Sequence, residues 1–422
     1  MVGAATSAAA DASLTWRGAA ELRRLLVPIE SLQPWPGNPR RGDIAAISES
    51  LKRFGQLRPI VTQGTVVVAG NHLVAAAKQL GWTHLAALDH EFASEQEARG
   101  FVLADNRVSQ LGTFDDALLA EQLRTFDEGS LTGTGYDDRF VQELERELAR
   151  AADLDALALG EGADDVPPLP KGDPDSVPGE IYSLGEHRLL CGDARDIRAV
   201  RGLVGSCAPE LLWTDPPFGV SYTGKTRAAL QIQNDSAAGL GGLLADAFAA
   251  ADSVLVPGAG FYVAAPSTPR LQIEFLRAIE SVGWNVHQQL VWVKDCFVLG
   301  HSDYHHRHEA VLYGHKPSPG RVGRGNHAGS RWYGDNAQDT VFEIPRPKRS
   351  ADHPTMKPTA LIAAHLRNST ARGDVVFDCF AGSGSTMIAC EMLGRRCFAV
   401  EVDPAYADVI RKRYNDFVLS SR

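Results

Sequence analysis

The stretch Asp374–Thr386 reads DVVFDCFAGSGST, and it decides the fold class of the C-terminal part of this 422-residue chain. An apolar strand ends at Asp378, a glycine-rich turn follows, and a helix is predicted to begin near Thr386. This order is typical of ligand cradles in doubly wound sheets, because glycine lets the backbone approach a ligand and the first helix amides attract negative charge. We therefore predict an α/β, Rossmann-like fold.

Other apolar runs of strand length alternate with helical patterns, at 188–191, 211–214, 261–265, 288–293, 310–313 and 397–400. Continuous apolar strands separated by helices predict a parallel sheet that is buried on both faces. The last of these strands ends at Glu401, 23 residues after Asp378, where a carboxylate can accept hydrogen bonds from both hydroxyls of a ribose. Two alternatives remain for the turn: a glycine turn without a ligand, or a dinucleotide site whose third glycine is replaced by Met387.

A second motif, Trp213–Gly219, reads WTDPPFG and also follows an apolar strand. Pro216 and Pro217 fix the backbone and remove two amide donors, so the segment presents acceptors. We expect Asp215 and the Pro216 carbonyl to accept the two hydrogens of an exocyclic amino group, and Phe218 to stack on a base removed from the duplex. The structural alternative is an Asp-Pro turn that closes a strand.

Four motifs together resemble the DNA amino-methyltransferases, which act on adenine N6 or cytosine N4. Besides the two already quoted, His353–Pro358 reads HPTMKP and Cys191–Ala194 reads CGDA. The resemblance implies S-adenosylmethionine as the cofactor, with Lys357 near its carboxylate and Asp193 near its adenine. The residues predicted to bind the cofactor are Asp193, Lys357, Asp378, Phe380, Gly382, Gly384, Ser385, Thr386 and Glu401.

The order of the motifs resembles the circularly permuted beta subgroup, since the catalytic motif precedes the cofactor motif by about 160 residues. Asp215 resembles the adenine enzymes, whereas cytosine N4 enzymes more often carry serine there. Phe218 replaces the commoner tyrosine, and Met356 stands where glutamine is frequent. The function expected is site-specific methylation of adenine N6 in DNA. The alternatives are cytosine N4 methylation, a non-catalytic ParB-like DNA-binding protein, and methylation of RNA or protein.

The chain has a formal net charge of -10, so contacts with DNA need basic residues that are gathered locally. The window 305–333 has five Lys or Arg residues against Glu309, within a predicted DNA-recognition insertion at about 295–350. Trp332 and Tyr333 are expected to stack or wedge there. The histidines at its start are open to two other interpretations, a solvated strand end or a metal site, and we predict no metal. The residues predicted to contact DNA are Lys225, Arg227, Arg307, Arg321, Arg324 and Arg331.

The N-terminal part resembles a ParB-type domain over residues 25–123, which implies a smaller α+β domain. The resemblance rests on NPR at 38–40, GQLRPI at 55–60, GNHLVAA at 70–76 and ADNR at 104–107. In that family the glycine-led turn before the helix contacts nucleotide phosphates, as suits a helix N-terminus. Here Asn71-His72-Leu73 stands where partition proteins commonly carry an acidic and basic trio. A structural or DNA-positioning module, a nucleotide-binding switch and a nuclease all remain open.

Composition gives the remaining boundaries. A helical extension is expected at 124–152, an extended and solvated acidic, proline-rich linker at 153–178, and the methyltransferase domain at 179–422. Six cysteines without a C-x-x-C pair indicate a reducing cytosol, and we expect neither a signal peptide nor a membrane span in this cytoplasmic, bacterial or phage-encoded protein. Double-stranded DNA is the expected partner, with a homodimer and a nucleotide at the N-terminal domain as open alternatives.

Overall fold

The computed structural model describes residues 15–127, 129–158, 160, 162–219, 239–298, 303–318, 332–334, 337–347 and 356–420. The chain forms two compact units, Met1–Leu148 and Ala149–Arg422, and the boundary falls within one long helix, Asp138–Ala158. No helix in the described part of the chain is long and apolar enough to cross a membrane.

The N-terminal unit contains a five-stranded sheet in the order β1-β5-β3-β4-β2. Its strands are β1 Leu26–Pro28, β2 Gln33–Pro34, β3 Ile60–Gln63, β4 Val66–Ala69 and β5 His84–Asp89. Its helices are α1 Ile44–Phe54, α2 Asn71–Gln79, α3 Glu95–Leu111 and α4 Asp116–Leu123, and α5 is Asp138–Ala158. Helix α1 begins where the Asp43 side chain accepts a hydrogen bond from the Ala46 amide at 3.0 Å.

The C-terminal unit contains a nine-stranded sheet in the order β12-β10-β11-β9-β8-β13-β14-β7-β6. The strands are β6 Ile181–Leu184, β7 His187–Cys191, β8 Leu211–Thr214, β9 Gly260–Ala265, β10 Asn285–Val298, β11 His306–His315, β12 Val341–Glu343, β13 Val375–Asp378 and β14 Arg396–Glu401. The helices are α6 Ile197–Val204, α7 Leu240–Asp252, α8 Pro269–Ser281, α9 Thr359–Ser369, α10 Ser385–Leu393 and α11 Pro404–Ser420. Two apolar clusters fill the sheet's two faces. The predicted α/β fold class is confirmed.

The five central strands β9, β8, β13, β14 and β7 pair in parallel. Strand β6 runs antiparallel to β7, and β11 runs antiparallel to both β9 and β10, whereas β12 pairs in parallel with β10. Every residue of β8 and β13 is buried, as the uninterrupted apolar runs predicted. From this central pair the chain leads outward in opposite directions, from β8 to β9 and from β13 to β14. Ligands of open α/β sheets bind where neighbouring connections diverge in this way, beyond the carboxyl ends of the strands.

Two predictions for the region between the units need correction. Residues 124–127 and 129–137 are not helical, and helix α5 continues to Ala158. The acidic segment is not solvated throughout: Asp153 is 2% exposed and pairs with Arg395 at 2.6 Å, and Ser176 is also buried. The charge of Asp153 therefore has a specific partner in the C-terminal unit.

Candidate functional site at the switch point of the sheet

The WTDPPFG motif lies at the carboxyl end of β8, as its sequence predicts. Pro216 is buried, and the Asp215 side chain keeps 23% of its surface exposed. The Phe218 ring is half-buried and meets Phe275 of helix α8 edge-on, with 6.1 Å between ring centroids. The motif therefore places a carboxylate and an aromatic ring side by side at the edge of the sheet.

Lys357 contacts Asp215 directly. Its Nζ donates to both carboxylate oxygens of Asp215 at 2.7 Å and lies 5.0 Å from the centre of the Phe218 ring. Burial raises the pKa of Asp215, although the charge of Lys357 opposes this effect. Burial alone would lower the pKa of Lys357, but the neighbouring carboxylates have the larger effect and raise the pKa of Lys357. Contacts of 2.7 Å are those of an ionised pair. The resemblance implied a lysine near the cofactor carboxylate, whereas the structure places Lys357 on the Asp215 carboxylate.

Two residues extend this pair into a network that the sequence analysis did not assign to the site. Glu309 Oε2 lies 3.2 Å from Lys357 Nζ, and Glu309 Oε1 accepts a hydrogen bond from Lys294 at 2.5 Å. Burial would raise the pKa of Glu309, but the two lysines outweigh it and lower that pKa. The four formal charges cancel, as buried charges require. The signal in the sequence was a charged residue adjoining an apolar strand: Lys294 follows VWV, and Glu309 precedes AVL.

The glycine-rich turn adjoins this network through the next strand. Asp378 at the end of β13 accepts hydrogen bonds from Thr214 Oγ1 at 2.9 Å, from the Phe380 amide at 3.0 Å and from Thr386 Oγ1 at 2.6 Å. Burial raises the pKa of Asp378 to about 6, and these donors oppose the rise. Asp378, predicted to bind the cofactor, thus has both oxygens occupied by the protein. It joins the start of the turn to the strand that leads into Asp215.

The two glycines of the turn have different surroundings. Both adopt positive φ, +54° at Gly382 and +85° at Gly384. A Cβ added to Gly382 would meet no atom within 4 Å, so this side of the turn is open to a ligand. A Cβ added to Gly384 would lie 3.1 Å from the side chain of Ile410 in α11. Gly384 is therefore required by backbone conformation and helix packing, and its Cβ position faces Ile410.

Other residues predicted to bind the cofactor already form hydrogen bonds or ion pairs within the protein. The carboxylate of Glu401 accepts from the amides of Gly382 at 2.8 Å and Asp403 at 2.9 Å, and burial raises the pKa of Glu401 to about 8 against these two donors. Asp193, which follows the end of β7, forms an ion pair with Arg195 at 2.6 Å. The Ser385 and Thr386 side chains are buried, with Arg413 and Asp378 as their respective partners. A carboxylate accepts up to about four hydrogen bonds, so Glu401 keeps capacity for a ribose.

The predicted DNA contacts lie largely outside the described residues. Lys225, Arg227, Arg321, Arg324 and Arg331 are all outside them. Arg307 is exposed on β11, where its Nε donates to the Lys294 carbonyl at 3.0 Å. His306 and His308 are exposed at the start of the same strand, and no group of three metal-ligating side chains occurs in the described part of the chain. Trp332 is partly buried and packs against Tyr313, with 6.4 Å between ring centroids, and its role in stacking or wedging stays a prediction.

In the N-terminal unit, the turn before helix α2 uses its polar residues to hold neighbouring loops. Gly70 begins the helix with φ +97°. The side-chain oxygen of Asn71 accepts from the Trp35 amide at 2.8 Å, and His72 Nε2 accepts from the Gly42 amide at 2.9 Å. Both side chains therefore have structural partners within this unit.

Comparison with known proteins shows that part of the C-terminal unit is similar to DNA methylases. Residues 210–412 match the family model described as DNA methylase. The chain is 31% identical over 87 residues to the type II methyltransferase M2.MboI of Moraxella bovis, covering 20% of this chain and 32% of that protein. It is 26% identical over 150 residues to the type II methyltransferase M.BglI of Bacillus subtilis, covering 34% and 43%. The chain thus spans less than half the length of these curated relatives. The matches support the predicted resemblance to DNA amino-methyltransferases over this stretch.

Solved structures overlap with about half of the chain. The M1.HpyAVI–SAM complex has a TM-score of 0.41 and 22% identity, and covers 54% of this chain and 98% of its own. The putative DNA modification methylase TTHA0409 from Thermus thermophilus, complexed with S-adenosyl-L-methionine, has a TM-score of 0.38 and 24% identity, and covers 55% and 94%. At these TM-scores the overlaps carry no functional argument.

Proposed function

We propose that this chain is a DNA methyltransferase that uses S-adenosylmethionine and methylates adenine N6. The observation that carries the proposal is the meeting of two motifs at the switch point of the sheet. Asp215 follows β8, the glycine-rich turn follows the adjacent β13, and Thr214 joins them through its 2.9 Å hydrogen bond to Asp378. A nucleophile held at Asp215 would therefore lie beside a ligand that occupies the turn.

The residues of the turn fit S-adenosylmethionine. The open side of Gly382 can accept the body of the ligand, and Glu401 lies beside it at the end of the next strand. When bound, the cofactor would supply an electrophilic methyl group. Phe380, Gly382 and Glu401 would hold the nucleoside part, while Asp193, at the neighbouring strand end, would approach the adenine.

The chemistry required of Asp215 is that of an acceptor. An aromatic amino group is a poor nucleophile because its lone pair is delocalised into the ring. Asp215 and the Pro216 carbonyl would each accept one amino hydrogen, which directs the lone pair out of the plane of the base and towards the methyl group. As the nitrogen–carbon bond forms, the bond between the methyl group and the sulfonium sulfur would break and leave a neutral thioether. The nitrogen would then carry the positive charge and lose its proton to Asp215 or to water.

Lys357 keeps Asp215 ready for this role. The ammonium stabilises the carboxylate as an anion, and its contact with Glu309 gives it a second counter-charge while Asp215 carries the transferred proton. Phe218 would form the wall against which the base lies. The aspartate at 215 supports the choice of adenine over cytosine.

We further propose that DNA approaches along the basic window and that the ParB-like unit alters DNA affinity or target choice. Arg307 supports the first point, because it is exposed on β11 two residues before Glu309. A phosphate bound there would place the duplex near Asp215.

The test of the proposed function is methyl transfer from labelled S-adenosylmethionine to unmethylated DNA by the full chain, followed by digestion to nucleosides. N6-methyladenine is the expected product. If the product is N4-methylcytosine, the chain is still a DNA methyltransferase, but adenine is not its target base. If label appears only in RNA or protein, DNA is not the substrate.

A further inference from the structure

A short part of the acidic segment is packed beside the glycine-rich turn. The Ala163 carbonyl accepts hydrogen bonds from Arg413 Nη2 at 2.7 Å and from Thr359 Oγ1 at 3.3 Å. The Asp164 carboxylate accepts from the Thr359 amide at 2.8 Å, at the first residue of helix α9. All of these residues belong to the unit Ala149–Arg422. The segment was predicted to be solvated, yet Ala163 is 8% exposed.

Arg413 connects this segment to the turn. Its Nη1 donates to the Ser383 carbonyl at 2.9 Å, to Ser383 Oγ at 3.3 Å and to Ser385 Oγ at 3.1 Å, while Nη2 donates to Ala163. The side chain comes from helix α11, and the residue is 2% exposed. Burial lowers the pKa of Arg413 to about 10, opposed by the charges of Asp164 and Asp165, so the guanidinium stays charged at neutral pH. A single buried cation thus bridges the acidic segment and the turn.

One nitrogen of the Arg413 guanidinium already lacks a partner. Arg413 Nε is buried and has no hydrogen-bond partner. If Ala163 moved away, Nη2 would also lose its acceptor, and a buried donor without a partner is unfavourable. The guanidinium would then shift towards other acceptors, and its three contacts with Ser383 and Ser385 would shift with it.

We propose that residues 163–164 form part of the cofactor site, as a clamp that acts through Arg413 and Thr359 to fix the turn Ser383–Ser385. Cofactor affinity then depends on whether residues 163–164 keep these contacts. By thermodynamic reciprocity, bound cofactor holds the segment in place. The clamp rests on the proposed function for the identity of the cofactor, whereas its own residues lie outside the catalytic motif.

The test is the affinity of the full chain for S-adenosylhomocysteine, measured by titration calorimetry. Asp164→Ala removes the carboxylate that contacts Thr359, and its matched control is Asp165→Ala at the exposed neighbouring residue. We expect about 3- to 10-fold weaker binding for Asp164→Ala, at the scale of one hydrogen bond to a charged group, and unchanged binding for the control. Arg413→Lys keeps the charge but cannot bridge both sides, and we expect at least a tenfold loss.

Kinetics separate positioning from a general loss of structure. With saturating cofactor, Asp164→Ala should transfer methyl groups at the wild-type rate, so that KM for the cofactor rises and kcat does not. In hydrogen exchange, S-adenosylhomocysteine should slow the amides of residues 160–166 in the wild-type chain.

The clamp would be refuted if Asp164→Ala bound S-adenosylhomocysteine with wild-type affinity and the ligand did not slow amide exchange at residues 160–166 of the wild-type chain. The proposed function would remain intact. Failure of the wild-type chain to bind S-adenosylhomocysteine would overturn the cofactor assignment and the clamp together. If Arg413→Lys does not fold, Asp164→Ala alone decides the question.

Discussion

Replacing Lys357 by methionine tests the charge network around Asp215. The Asp215 side chain is 23% exposed and that of Lys357 is 6% exposed, so water compensates little for the removed ammonium. Breaking a buried ion pair by removing one partner costs about 3–5 kcal/mol, which corresponds to roughly 100- to 3,000-fold. Asp215 would avoid this cost by taking a proton, because its pKa would rise further above the ordinary value once Lys357 no longer opposes burial. A protonated Asp215 accepts the amino group poorly.

The expected result is a single-turnover methylation rate that is reduced by this factor near pH 7 and recovers about tenfold per pH unit as the pH rises. The wild-type rate should change little over the same range. Lys294→Met is the matched control, because Lys294 bonds Glu309 and not Asp215. If the lysine acts on Asp215, Lys357→Met should bind the cofactor with wild-type affinity. An equal loss of rate at every pH, together with weaker cofactor binding, would refute this reasoning and return Lys357 to the cofactor carboxylate.

Three further predictions concern the cofactor turn and DNA. Burial raises the pKa of Glu401 to about 8, and the ionised form accepts hydrogen bonds from ribose hydroxyls best. Cofactor affinity should therefore rise between pH 7 and 9 in the wild-type chain and be independent of pH in Glu401→Gln, as calorimetry at several pH values can check. Gly384→Ala should lower the stability of the chain by about 1–2 kcal/mol or more, because φ is +85° and Ile410 lies 3.1 Å from the new Cβ; Gly382→Ala, which meets no atom, should cost less in a thermal melt. If Arg321, Arg324 and Arg331 bind phosphate, replacing all three by alanine should flatten the salt dependence of DNA binding by about 0.9 for each phosphate that is no longer neutralised.

The sequence predicted the elements whose pattern is local. Uninterrupted apolar runs gave β8 and β13, and the motifs at their ends lie at the carboxyl edge of the sheet, as expected. The adjacency of these two strands was not predicted, because it depends on pairing between segments that are far apart in the chain. The resemblance could not show that Gly384 faces Ile410, because this contact depends on how helix α11 packs.

The partners of charged residues could not be predicted, because they join distant parts of the chain. Lys357 and Asp215 are 142 residues apart, and nothing in either motif shows that they meet. The acidic segment was interpreted from composition, which indicates repulsion when no opposite charge is near in sequence. Arg395 and Arg413 lie more than 200 residues further along the chain, and they reverse that conclusion for Asp153 and Ala163.

The most direct test of the central claim compares Asp215→Ala with the wild-type chain in single-turnover methylation of DNA at saturating cofactor. Removing the acceptor should lower the rate by orders of magnitude, while the affinity for S-adenosylhomocysteine stays within about threefold, since the glycine-rich turn is a separate element. Phe218→Tyr serves as the control for the site's shape and should retain activity. Methylation by Asp215→Ala at close to the wild-type rate would contradict the proposed role of Asp215.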